Sequence, residues 1–199
     1  MNRFAIAAVA LASVLAAGCS AVPPVRFYVI TPLADPAPAA RAPGPAVVVA
    51  AVRLPEYLER PQLVTRSGDN RLRLEEFDQW GGNLAKDLTR VMAENLSLLL
   101  GSDAVVASPH TQRTRPDYRV EIEVLRFERA GDARVHLAAK WRLLRGADGT
   151  PLASPTTVLA SEPVAGASVE LTVAAMSGVY GELSRAIAQA VSRQEKAAR

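Results

Sequence analysis

The chain has 199 residues, of which 49% are hydrophobic and 22% are charged, and its formal net charge is +3. This length is typical of a single domain, and the apolar fraction is high enough to bury a core rather than leave the chain disordered. The basic residues are dispersed among acidic ones and form no stripe with interleaved aromatics, so nucleic-acid binding is not expected.

The N-terminus has the features of a bacterial lipoprotein signal. After the basic Arg3, residues 4–17 form an uncharged run that is long enough for a signal peptide and too short to span a bilayer. Small residues lead directly to Cys19, as a lipobox requires, and Cys19 is the single cysteine of the sequence. We therefore predict a signal peptide over residues 1–18 and lipidation of Cys19. The alternative, an ordinary secretory signal, would leave a stray thiol without a disulfide partner in an oxidising compartment.

The lipid anchor and the domain are predicted to lie close together. Residues 19–24 would form the lipidated tether and residues 25–195 a single domain. At roughly 3.3 Å per residue, such a tether spans less than about 20 Å.

The residue after the cysteine indicates the membrane. Asp at this position is the usual signal for retention at the inner membrane, but this sequence has Ser20. We therefore expect a protein anchored to the outer membrane and facing the periplasm. Half of the fourteen prolines fall between residues 21 and 45, and residues 34–45 predict a loop or a stiff spacer.

The first half of the domain predicts short strands and one helix. Residues 26–30 and 47–52 are rich in aromatic and β-branched residues and indicate strands. Residues 62–66 and 71–74 flank a Ser-Gly-Asp-Asn turn and indicate a hairpin. Apolar residues at helical spacing then run from Leu84 to Leu99, with Gly101 placed to end the helix.

The second half predicts an antiparallel sheet and a second helix. After a short strand at 104–107, apolar and polar residues alternate from Tyr118 to Val124, and the phase then flips, which predicts a β-bulge. Residues 135–143 alternate in the same way, residues 156–160 follow a turn at Asp148-Gly149, and residues 171–191 are helical. We predict an α+β fold, a largely antiparallel mixed sheet of about seven strands with two long amphipathic helices packed on one face. Residues 47–52, the first helix and residues 104–107 could form a parallel crossover within it.

The sequence offers no constellation for catalysis or metal binding. The two histidines, His110 and His136, have no second ligand at a useful spacing, and no nucleophile elbow, phosphate loop or dinucleotide motif is present. Glu75-Glu76 and the pair Glu121 and Glu123 are interpreted as solvated residues. We therefore predict a protein that is not an enzyme and needs no metal or cofactor.

One segment combines the residue types that are enriched at protein interfaces. Residues 54–66 carry Pro55, Tyr57, Arg60 and Pro61 at the exit from a strand, and Phe77 and Trp80 follow shortly before the first helix. In one interpretation the aromatic residues only close the end of the core. In the other they form a contact surface, so that the candidate partner-binding residues are Tyr57, Arg60, Pro55, Pro61 and Trp80.

The same segment carries a family resemblance. The stretch LPEYLERPQLVTR over residues 54–66, Phe77, Trp80 and the AENLS stretch over residues 93–97 resemble the PqiC-type ABC-transport auxiliary lipoproteins. The segments Asp117–Val120, Arg126–Glu128 and Lys140-Trp141 resemble the same family, and the match runs from about Phe27 to Ile187. The resemblance implies a non-enzymatic outer-membrane lipoprotein that docks a periplasmic protein with MCE (mammalian cell entry) domains in an intermembrane lipid-transport system, with a homo-oligomeric ring as one arrangement.

Two other classes of function stay open at this stage. An assembly or chaperone lipoprotein that serves another outer-membrane complex would have the same anchor and the same lack of catalytic residues. A lipid- or solute-binding carrier would need a concave apolar pocket, for which the 5% aromatic content and the apolar positions leave little surplus beyond the core.

Overall fold

The computed structural model describes residues 23–34, 44–109 and 115–197. The predicted signal peptide, Cys19, most of the proline-rich spacer and His110 lie outside these residues. In chain order the elements are β1 (Arg26–Tyr28), β2 (Val47–Val49), a 3-10 turn (Glu56–Leu58), β3 (Gln62–Gly68), β4 (Arg71–Trp80), α1 (Leu84–Leu100), β5 (Val105–Ala107), β6 (Tyr118–Arg129), β7 (Val135–Arg145), β8 (Pro151–Ala153), β9 (Thr156–Ala160) and α2 (Val169–Ala197).

The strands form one mixed sheet that is organised around β6. On one edge β6 pairs with β7 in antiparallel fashion along its whole length. On its other edge β6 holds β2 near its start and β3 at its end, both parallel. From there β2 pairs with β5, β3 with β4, and β4 with β1, while β8 and β9 pair with the outer edge of β7. The parallel arrangement predicted for residues 47–52 and residues 104–107 is confirmed, with the pairing itself joining residues 47–49 to residues 105–107.

The predicted α+β fold is confirmed, with more strands than expected. The described residues form nine strands, several of which have only three residues and are too short to produce a periodicity in the sequence. The turn at Asp148-Gly149 leads into two strands, β8 and β9, rather than one. Pro155 lies between them, and its lack of an N–H interrupts the ladder along β7.

The hairpin and the bulge lie where the sequence predicts them. Strands β3 and β4 are antiparallel and turn at residues 68–71. The register between β6 and β7 shifts between Val124 and Arg126, which leaves Leu125 without a paired residue and 39% exposed. The bulge therefore returns the next apolar residue, Phe127, to the buried face.

Both helices pack on one face of the sheet. The side chain of Asn83 accepts a hydrogen bond from the backbone N–H of Lys86 at the start of α1, and Gly101 ends it with φ of 61°. From α2, the Tyr180 ring lies 6.1 Å from the Phe127 ring, and its hydroxyl donates to the carbonyl of Leu88 at 2.9 Å. The fully buried large side chains are Tyr180, Phe127, Ile30, Leu63, Leu88, Met92, Leu96, Ile122, Leu137, Leu143, Leu183 and Ile187.

Neither described helix, α1 nor α2, is both long enough and apolar enough to cross a membrane.

Candidate functional site

Part of the candidate contact segment, residues 54–66, reaches the sheet face opposite the helices. Phe127 points toward Tyr180 of α2, so its neighbour Glu128 points to the other face. Tyr57 reaches Glu128 on that face, with its hydroxyl 2.7 Å from Oε2. Pro55 has the extended backbone of an N-cap residue (φ −67°, ψ 146°), and it starts the 3-10 turn that carries Tyr57.

Glu128 is a fully buried carboxylate at the centre of this region. Its side chain is 0% exposed. Oε1 accepts hydrogen bonds from Nε of Arg66 and Nε of Arg126, each at 2.8 Å. Oε2 accepts from the Tyr57 hydroxyl and from the backbone N–H of Phe127 at 3.1 Å. The carboxylate thus joins the turn, β3 and β6, and we call Tyr57, Arg66, Arg126 and Glu128 the Glu128 cluster.

Hydrogen bonding keeps Glu128 ionised although it is buried. Burial by itself would raise its pKa, but the hydrogen bonds from Arg66, Tyr57 and Arg126 outweigh burial and hold the pKa below its ordinary value. Burial and the bond to Glu128 raise the pKa of Tyr57 to about 12, so Tyr57 remains a donor at neutral pH.

The five sequence-predicted contact residues lie in different environments. Trp80 is 6% exposed and belongs to the core. Tyr57, Pro55 and Arg60 are half-buried, and Nε of Arg60 is buried without a hydrogen-bond partner. Pro61 is exposed, and its carbonyl accepts from the Trp80 N–H at 2.7 Å. The structure therefore brings Tyr57, Pro55, Arg60 and Pro61 into one turn, while Trp80 offers little surface. Their role in binding a partner stays a prediction.

The sequence interpretation missed the residues that fix this turn. Arg66, Arg126 and Glu128 were not selected, because an Arg and a Glu that alternate on a strand usually lie on a solvated face. A signal was nevertheless present, since all four members of the Glu128 cluster fall within the two family-like segments, residues 54–66 and Arg126–Glu128.

A second polar arrangement fastens the N-terminal part of the domain. Arg26 binds the buried carboxylate of Asp78 with two hydrogen bonds, at 2.7 and 2.9 Å, and Tyr28 donates to the same group at 2.9 Å. The bond from Arg26, aided by that from Tyr28, lowers the pKa of Asp78. Strand β1 is therefore clamped to β4 by a charge-assisted pair as well as by its backbone.

The residues after β1 continue across both helices. Backbone N–H groups of Ile30 and Leu33 donate to the side chains of Asp87 and Asn95 on α1, at 2.9 and 2.8 Å. The N–H of Thr31 donates to Ser177 on α2 at 3.1 Å. This segment is a strap that holds the two helices together, and it follows directly after β1.

The open face of β6 and β7 carries charges that largely compensate one another. Glu121 binds Arg142 and Arg119, the latter at 3.2 Å, and these hydrogen bonds lower its pKa although burial opposes the shift. Glu123 lies 3.7 Å from Arg53. A depression of about 470 Å³ on this face is lined by residues that include Arg53, Glu121, Glu123, Lys140, Arg142, Ser154 and Thr156. The described residues contain no group of acidic, His or Cys side chains arranged to hold a metal ion.

These features define an α+β fold with a clamped N-terminal strand and a fixed turn on its open sheet face. In sequence, residues 28–188 match the ABC-type transport auxiliary lipoprotein component. The chain belongs to this family.

Solved structures share the fold. A crystal structure of an uncharacterized protein has a TM-score of 0.69 and 17% identity and covers 85% of this chain and 99% of its own. Protein XCC0632 from Xanthomonas campestris, of family DUF330, also has a TM-score of 0.69, with 19% identity and coverage of 87% and 100%. At these identities the similarity shows the fold alone. No match was found among curated proteins.

Proposed function

We propose that the mature chain is held by lipid on Cys19 at the periplasmic face of the outer membrane. There it docks an MCE-domain periplasmic protein and so serves an intermembrane lipid-transport system of the ABC type. Membership in the auxiliary lipoprotein family supports the transport role. The observation that carries the docking role is the turn over residues 55–61, which is held in one shape by the Glu128 cluster.

A turn that is fixed before binding suits a docking role. Its backbone is restrained by prolines at both ends and by the bond from Tyr57 to Glu128. A partner that binds such a turn loses less conformational entropy than one that must first order a loop. The exposed side chains of Glu56, Glu59 and Pro61, and the half-buried guanidinium of Arg60, are the groups it offers. Arg60 can donate a planar fork to a carboxylate or a backbone carbonyl.

A Tyr57→Ala/Arg60→Ala variant tests the docking surface. We expect it to remain in the membrane and to lose capture of the MCE-domain protein by at least about tenfold, or roughly 1.4 kcal/mol. Capture by the lipidated protein is measured in a pull-down from membranes. Because Tyr57 also binds Glu128, circular dichroism and thermal melting are measured on the same preparation, and Arg60→Ala alone is included as a variant that keeps the Glu128 cluster intact.

The matched control is Glu182→Ala/Arg185→Ala, which changes two exposed residues on α2, on the opposite side of the sheet. It should capture the partner like the wild type. Unchanged capture by a folded Tyr57→Ala/Arg60→Ala protein would remove the turn from the interface. The charged face around His136, Lys140 and Arg142 would then be the next surface to test.

Cys19→Ala tests the anchor. We expect an unlipidated precursor that keeps its signal peptide and stays at the inner membrane, because the lipoprotein peptidase acts on the diacylated cysteine. Replacing residues 1–19 by an ordinary secretory signal should instead release a soluble, folded domain. Fractionation, with mass spectrometry of the N-terminus, measures both results, and an insoluble secreted domain would contradict the tether.

A further inference from the structure

Strand β1 carries an exposed apolar row. Val25, Phe27 and Val29 are 43%, 67% and 55% exposed. Because side chains alternate along extended backbone, these three share one side, while Arg26 and Tyr28 point to the other and bind Asp78. Strand β1 is at the edge of the sheet and, among the described strands, pairs only with β4. An aromatic and two branched residues in one row at a sheet edge expose apolar surface that the fold itself does not use.

We propose that this row, Val25, Phe27 and Val29, seats in the interfacial layer of the membrane beside the lipid anchor. The inference rests on the proposed lipidation of Cys19. Only residues 20–24 separate Cys19 from Val25, and even fully extended they reach less than about 20 Å. The start of the row is therefore held within reach of the headgroup region, where aromatic side chains are favoured. A second anchoring contact of this kind adds to the membrane affinity that acyl chains provide.

The opposite side of the strand makes the row a rigid platform. The two hydrogen bonds from Arg26 to Asp78, together with the strap bonds of Ile30 to Asp87 and Thr31 to Ser177, fix β1 to β4 and to both helices. Leu33 also packs closely on α2, since a Cβ at Gly181 would come within 2.8 Å of Leu33 Cδ2. Because β1 is fixed to the domain, seating of the row sets how the whole domain lies against the membrane. The anchor would then orient the sheet and not merely tether it.

Tryptophan reporters in the lipidated full-length protein test this seating. Phe27→Trp places a fluorophore in the row, and Val158→Trp is the matched control, on β9 and 71% exposed. The native Trp80 and Trp141 are 6% and 4% exposed and give a constant background. Each protein is reconstituted into vesicles of phosphatidylethanolamine and phosphatidylglycerol, with and without phosphatidylcholine brominated on its acyl chains. Mass spectrometry of the same sample reports the acyl chains on Cys19, and circular dichroism reports the fold.

We expect the emission maximum of the tryptophan introduced by Phe27→Trp to shift to the blue, and its fluorescence to be quenched by brominated lipid. The tryptophan introduced by Val158→Trp should show neither the shift nor the quenching. Val25→Trp is a second reporter in the same row and should behave like Phe27→Trp if that variant folds poorly. Absence of quenching in an acylated, folded protein would overturn the seating and leave the anchor intact. Equal quenching of Phe27→Trp and Val158→Trp would overturn the seating as well. A blue shift that depends on protein concentration and not on lipid would also overturn it, and would indicate that the row binds a second copy of the chain. Absence of acyl chains on Cys19 would overturn both the anchor and the seating.

Discussion

Replacement of Glu128 by Ala is expected to lower the free energy of unfolding by about 3–5 kcal/mol at pH 7. The variant leaves the guanidinium groups of Arg66 and Arg126 and the hydroxyl of Tyr57 without their shared acceptor. The side chains of Arg66 and Arg126 are 23% and 35% exposed, so water can reach them in part, and we expect a value near the lower end of that range. Urea denaturation measures the loss, and we expect the m-value to be the same in the variant as in the wild type, so that the shift in midpoint reports stability alone.

Glu123→Ala is the matched control for Glu128→Ala. Glu123 lies on the same strand and the same face, but its side chain is 45% exposed and its nearest ionic contact, to Arg53, is 3.7 Å long. Such exposed pairs contribute about 0–1 kcal/mol. If the two variants lost equal free energy of unfolding, the buried Glu128 cluster would stabilise the fold no more than an exposed ion pair does.

The effect of Glu128 should also depend on pH. The folded-state pKa of Glu128 lies below its ordinary value, so its contribution to stability is present above the ordinary glutamate pKa, about 4.3. That contribution is lost as the pH falls through the folded-state pKa, where the carboxylate is protonated in both states. The difference in unfolding free energy between wild type and Glu128→Gln is therefore expected to shrink on acidification below pH 4. A difference that stays constant to pH 3 would contradict the assignment.

Trp141→Ala should destabilise the domain by roughly 3–5 kcal/mol, which is typical of a buried tryptophan. Trp141 is 4% exposed, and its indole Nε1 donates to Thr157 Oγ1 at 2.9 Å. It shares the helix-covered face of β7 with Leu137 and Leu143, as the alternation in the sequence predicts. Trp141→Phe separates the two contributions: it keeps most of the packing and loses the hydrogen bond, so its cost should be clearly smaller.

His136→Ala provides the comparison from the other face of the same strand. The side chain of His136 is 23% exposed, and its Nε2 lies 2.8 Å from Asp132, whose side chain is 49% exposed. We expect a loss below about 1 kcal/mol, as for other substitutions of partly exposed side chains. Thermal or urea unfolding of both variants measures the contrast, and similar losses at Trp141 and His136 would contradict the two-faced sheet.

Local periodicity was sufficient to predict the elements that are long compared with their repeat. Strands β6 and β7 alternate with period two because one face is covered by helices and the other is not, and this pattern also located the bulge after Val124. Helix α1 has both an apolar stripe and a glycine at its end, so its bounds followed from the sequence. Strands of three residues span less than two periods, and the sequence alone underestimated their number.

The sequence by itself determined the fold class, the two helices, the central antiparallel strands and the lipoprotein-like N-terminus, because each depends on a repeat or on neighbouring residues. Only the tertiary structure decided what the charged residues do. Glu128 and Glu123 look alike in the sequence, on the polar side of one strand, yet Tyr57 and Arg66 cover the first and leave the second at the surface. Arg26 and Asp78 likewise meet across more than fifty residues of chain to clamp β1. Such contacts depend on which strands become neighbours, and the burial that makes a charge pair important arises only after those strands have paired.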